Sequence, residues 1–118
     1  MVKILVVDDE KETIDFCCDF LDKEGFKVLT ATNGPDALRK AAVETPDLIL
    51  LDINMPEMDG GDVAQRLSEN ESTKEIPILF LSGMVTRAEE GRIKGRYFIS
   101  KLSSAGEIVK KIKKILAA

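Results

Sequence analysis

The sequence predicts an α/β domain in which a parallel sheet of five strands carries helices on both faces. Short apolar runs alternate along the chain with segments whose apolar residues recur at helical period, the signature of repeated strand–helix units. Two of the runs, Leu48 to Leu51 and Ile78 to Leu81, are apolar without alternation, as strands covered on both faces are. At 118 residues the chain is long enough to bury one core without disulfides, so residues 1–118 are expected to form a single domain.

Taken in order, the strand candidates are residues 2–7, 27–31, 47–51, 77–82 and 96–100. The second of these mixes polar and apolar residues and suits a sheet edge. Ile14, Cys17, Cys18 and Leu21 recur at i, i+3, i+4 and i+7 and mark the buried face of a first helix that ends near Gly25. A second helix is predicted from Pro35, placed in its first turn after Asn33-Gly34. Val63, Ala64 and Leu67 mark a third helix after Gly60-Gly61, and Thr86 is placed to cap a short fourth helix over residues 86–92. Ile108, Ile112, Ile115 and Leu116 give the last helix its apolar stripe. Lys110, Lys111, Lys113 and Lys114 lie largely off that stripe and read as a solvated face. Right-handed crossovers lead to a doubly wound arrangement, for which strand order 2-1-3-4-5 is one common solution, although periodicity alone does not select it.

Composition removes several function classes. A formal charge of −4 argues against nucleic-acid binding, which needs a basic surface, and favours a protein or small-anion partner. The longest apolar runs fall far short of the ~20 residues that span a bilayer, so no membrane association is expected. The strand-like run begins within a few residues of Met1, which leaves no room for a signal peptide, and a cytoplasmic location is expected. Cys17 and Cys18 are adjacent in a helical pattern, a poor geometry for pairing with each other, and read as reduced structural thiols.

In doubly wound sheets ligands bind beyond the carboxyl ends of the strands. Four of the five predicted strands finish on a group capable of phosphate or metal chemistry: Asp8-Asp9 after the first, Asp52 after the third, Ser82 after the fourth and Lys101 after the fifth. With the first and third strands adjacent, Asp8, Asp9 and Asp52 converge. Three neighbouring carboxylates repel one another, and a divalent cation relieves the repulsion. An oxygen-only donor set in a chain without histidine points to Mg²⁺ or Mn²⁺ rather than zinc. Each residue also has a plainer reading. Asp9 with Glu12 resembles a helix capping box, Ser82 alone reads as a turn or cap residue, and Lys101 alone as a snorkelling surface side chain. Their joint placement at one edge of one sheet favours the functional reading.

The set Asp8-Asp9, Asp52, Met55-Pro56-Glu57-Met58-Asp59-Gly60, Ser82 and Lys101 resembles the receiver domain of two-component response regulators, of the chemotaxis-regulator type, over essentially the whole chain. The resemblance implies a flavodoxin-like fold with order 2-1-3-4-5. It also implies that Asp52 accepts a phosphoryl group from a histidine kinase or histidine phosphotransfer protein and relays the signal to a downstream protein or output domain. By the same resemblance Asp9, Asp52 and the backbone carbonyl of Asn54 ligate Mg²⁺, with Asp8 acting at least partly through water. Lys101 then pairs with the phosphoryl oxygens, Ser82 donates a hydrogen bond to the new phosphate, and Phe98 reports the switch through its rotamer. Such a domain is no enzyme in the usual sense; at most it promotes its own phosphorylation and dephosphorylation.

Departures from the family pattern matter as well. Leu102 stands where the family usually has proline, often with a cis bond; since a cis non-proline bond costs about 3 kcal/mol, a trans peptide and an altered loop are expected. The segment from Ser82 to Lys101 is shorter than is usual by about one helical turn. Two other readings compete: a degenerate receiver used only as an interaction module, and a phosphatase of the haloacid-dehalogenase type. The latter needs a second acid two residues after its aspartate nucleophile, where this chain has Asn54.

Overall fold

The computed structural model describes residues 1–55, 58–83, 92–93 and 96–117. Its chain order is β1 (Lys3–Val7), α1 (Lys11–Lys23), β2 (Lys27–Ala31), α2 (Gly34–Glu44), β3 (Leu48–Asp52), α3 (Gly60–Ser68), β4 (Ile78–Ser82), β5 (Arg92–Ile93), β6 (Arg96–Ser100) and α4 (Ala105–Ala117). The five long strands are parallel and stand in the order β2-β1-β3-β4-β6, the predicted 2-1-3-4-5 arrangement. One strand was not expected: the two-residue β5 pairs antiparallel with β6 at the sheet edge. Arg92 thus lies in a strand and not in the predicted fourth helix, whose other residues, 86–91, lie outside the described residues.

Alternation along each strand divides the core into two. Ile4, Val6, Leu48, Leu50, Leu79, Leu81 and Ile99 face α1 and α4, where Cys17, Leu21, Ile108 and Ile112 close over them. Leu5, Val7, Ile49, Leu51, Ile78 and Phe80 face the other way, onto Ala37 and Ala41 of α2 and Val63 and Leu67 of α3. Every residue of β3 and β4 is buried, which explains their unbroken apolar runs. β2 lies at an edge, and only its last residue is buried.

Local signals set the helix ends. Asn33 caps α2, its Oδ1 accepting from the Asp36 amide at 2.8 Å, with Pro35 in the first turn. Asp59 caps α3 in the same way through the Asp62 amide at 2.9 Å. Gly25 ends α1 with φ +86°, a conformation that glycine adopts without strain. Both thiols are free. Burial, with help from the Asp8 charge, pushes Cys17 up to about 12, so it stays protonated in the core.

Candidate functional site

Asp8, Asp52 and Lys101 each follow a core residue, Val6, Leu50 and Ile99, by two positions, the repeat of a strand, so all three emerge on one face at one end of the sheet. β1 and β3 are direct neighbours, with Val7 opposite Leu51, which sets the first two side by side. Lys101 arrives from β6, two strands beyond β3, and its length bridges the gap. Its Nζ lies 3.1 Å from Asp52 Oδ1, 3.4 Å from Asp8 Oδ2 and 4.0 Å from Glu10 Oε1. The Lys101 backbone is anchored too, its amide donating to the Ser82 carbonyl at 2.9 Å.

Asp8 and Asp52 are almost fully buried, at 1% and 2% exposure. Only one oxygen of each carboxylate is hydrogen-bonded by the backbone: Asp8 Oδ1 accepts from the Glu10 amide at 2.9 Å, and Asp52 Oδ1 from the Asn54 amide at 3.3 Å. The other oxygens, Asp8 Oδ2 and Asp52 Oδ2, are buried without a hydrogen bond of good geometry; Asp8 Oδ2 is met by the Lys101 ammonium as an ion pair at 3.4 Å. Burial raises the Asp8 carboxyl to about 6. The Glu10 amide opposes the rise, the Asp52 charge adds to it, and Lys101 works against it. Burial alone would lower the Lys101 ammonium, but its hydrogen bond to Asp52 and the charges of Asp8 and Asp52 outweigh that and hold it above its usual value.

Asp9 does not cap α1. The N-cap position falls to Glu10, which makes no side-chain cap hydrogen bond, so the capping-box reading fails and Asp9 stays exposed beside the cleft. Carboxylate oxygens of Asp8, Asp9 and Glu10 lie within 4.8 Å of one another. Glu10 is the neighbour that sequence reading missed; its place directly after the acidic pair was the available signal. Two orphaned buried carboxylate oxygens beside an exposed acidic pair suit a hard divalent cation, because each still wants a strong positive partner and the donors are all oxygen.

Ser82 is buried at the end of β4, beside Ser100 of β6. Phe98 stacks on Phe80 across β4 and β6, ring centroids 5.0 Å apart, on the α2–α3 face; Tyr97 packs into the opposite core. Among the described residues no peptide bond is cis. The chain turns after β6 by other means: the Leu102 amide donates to Ser100 Oγ at 3.0 Å and the Ser103 amide to the Ser100 carbonyl at 3.0 Å. Leu102 itself is 90% exposed. Of the acidic motif, Pro56 and Glu57 lie outside the described residues.

The family model of the response regulator receiver domain matches residues 4–113. The chain belongs to that family. It is 42% identical over 80 residues to the alkaline phosphatase synthesis transcriptional regulatory protein PhoP of Bacillus subtilis, an alignment covering 68% of this chain and 32% of PhoP. With the polar-differentiation response regulator DivK of Brucella anthropi it shares 28% identity over 116 residues, 96% of this chain and 94% of DivK. The chain thus spans about a third of the first relative and nearly all of the second. Among solved structures, the chemotaxis protein CheY4 of Vibrio cholerae superposes with a TM-score of 0.88 at 28% identity, covering 98% of both chains. This receiver therefore has the flavodoxin-like fold and belongs to two-component signalling.

Proposed function

We propose that this receiver domain takes a phosphoryl group on Asp52 and passes the signal on through the surface around Ser82, Phe98 and Lys101. The observation that carries the reading is the Asp52 carboxylate: buried at the end of β3, one oxygen 3.1 Å from the Lys101 ammonium and the other without a hydrogen-bond partner. An anionic oxygen kept from water and left unpaired is a competent nucleophile toward phosphorus. Attack forms the O–P bond of an acyl phosphate while the bond to the donor breaks, and the donor's imidazole or carboxylate leaves with the electron pair.

Lys101 neutralises phosphoryl oxygens as charge spreads over them, and its contacts with Asp8 and Asp52 hold it ready. Asp9, Asp52 and the Asn54 carbonyl, with Asp8 and now Glu10 nearby, would hold Mg²⁺ or Mn²⁺. Such an ion, when bound, offsets the negative charge shared by the acidic cluster and the incoming phosphoryl group. Ser82 then donates to the phosphate and draws its loop inward, and Phe98 changes rotamer against Phe80. The donor is a histidine kinase or a histidine phosphotransfer protein, and the recipient of the signal is a downstream protein or output domain.

Incubation with acetyl phosphate and Mg²⁺ followed by intact-mass measurement tests the reading. One phosphoryl adduct is expected, absent from Asp52→Asn. An unmodified wild-type chain, under conditions that label a control receiver, would favour a domain that acts by interaction alone.

A further inference from the structure

Gly34 opens α2, on the sheet face opposite α1 and α4, and nothing in the chemistry above uses it. It is buried, and the space that a Cβ would fill belongs to Met58. An ideal Cβ there would stand 2.8 Å from Met58 Cγ and 2.9 Å from Met58 Cβ, and closer still to Sδ. A long side chain can swing its tip away, but the Cβ of Met58 moves only if its backbone moves. Gly34 thus lets the main chain at Met58 sit where it does.

From Met58 the chain runs through Asp59 to Gly60, which lies against the site. Gly60 makes a second close approach: its amide donates to the Ile53 carbonyl at 2.9 Å, and a Cβ on Gly60 would lie 2.6 Å from the Asp52 carbonyl oxygen. Ile53 and Met58 both pack against the core between the sheet and α2–α3. Directly after Ile53 stands Asn54, whose amide donates to Asp52 Oδ1. α2 in turn is fixed by the Asn33 cap and by Ala37 and Ala41 in the core.

We propose that Gly34 is a positioning residue for the phospho-acceptor site: by receiving Met58 it makes the start of α2 a fixed abutment that sets where Asn54 and the Asp52 carboxylate stand. The inference rests on the reading of Asp52 and its cation ligands given above, and extends it to the start of α2.

The test uses the intact chain as Gly34→Ala, Met58→Ala and the double variant, each at a temperature where melting curves show it folded. Amide resonances of residues 52–55 are recorded without metal or phosphodonor, and Mg²⁺ is then titrated. Gly34→Ala is expected to shift those amides and to weaken Mg²⁺ binding on the order of tenfold, the loss typical when support behind a metal ligand is disturbed. In the double variant the Cγ and Sδ contacts are gone and only the 2.9 Å approach of the two Cβ atoms remains, so it should recover part of the way toward the milder Met58→Ala. A Gly34→Ala chain that melts lower but keeps its amide shifts and Mg²⁺ affinity would overturn the proposal and leave Gly34 a packing residue only; so would losses that simply add in the double variant. If wild type itself binds no Mg²⁺, the reading of the site fails, and the metal-free amide shifts alone decide whether Gly34 positions the segment.

Discussion

A single carboxyl group, Asp8, makes the site sensitive to pH in the absence of metal. Its folded value of about 6 lies above the ordinary 3.8, with burial as the largest cause. The folded chain therefore holds this proton more tightly than the unfolded chain does. The stability so gained is complete below about 3.8 and is lost as pH rises through about 6. Melting temperatures in EDTA at pH 5 and pH 7.5 should show this loss, and Asp8→Asn, which cannot titrate, should reduce it. An identical pH slope in the variant would place the effect elsewhere. Lys101 faces the same cleft from the opposite sign: Lys101→Ala removes the partner of both buried carboxylates, so it should weaken the response to phosphorylation while leaving divalent-cation binding largely intact.

At the scale of the element, the start of α4 shows how the chain manages without the proline that usually follows the lysine. Ser104 and Glu107 form a reciprocal capping box: the Glu107 amide donates to Ser104 Oγ at 3.2 Å, and the Ser104 amide to Glu107 Oε1 at 2.8 Å. With the turn at Ser100 it fixes the direction in which the chain leaves the site. Ser104→Ala should cost about 1 kcal/mol of stability by chemical denaturation, the usual worth of an N-cap, and leave phosphorylation of Asp52 unaffected. A much larger loss would show that the loop depends on Ser104 for more than the cap. The pattern Ser104-x-x-Glu107 is legible in the sequence, just ahead of the apolar stripe of the last helix.

Across the whole molecule, folding and ion binding are linked, because the unfolded chain does not bring Asp8 and Asp9 near Asp52. At ten times its dissociation constant, Mg²⁺ should add about 1.4 kcal/mol of stability and raise the melting temperature by several degrees in a domain of this size. Asp9→Ala should abolish most of that shift; an equal shift in variant and wild type would locate the ion outside the cleft. Switching also belongs to this scale. Addition of beryllofluoride, a mimic of the phosphoryl group, should change amide exchange over residues 82–102 while β2 and α2 stay nearly still. Changes confined to the neighbours of Asp52 would describe a domain that accepts phosphate without relaying it.

Strand and helix positions were legible because they are written in local periodicity. The apolar runs at Leu48 to Leu51 and Ile78 to Leu81 announce strands covered on both faces, and Asp8, Asp52 and Lys101 are recognisable because a charge directly after such a run needs a cleft or a partner. Order within the sheet was left open by periodicity and came from the resemblance, since neighbouring strands leave little trace in each other's sequence. Tertiary structure alone decided the rest. It brought Lys101, rather than solvent, to both buried carboxylates. It sent Phe98 and Tyr97 to opposite faces, added β5 at the sheet edge, and seated Met58 over Gly34. Lys101 with Asp8 and Asp52, and Met58 with Gly34, join residues far apart in the chain, and their distances depend on strand register and helix approach, which no local pattern encodes.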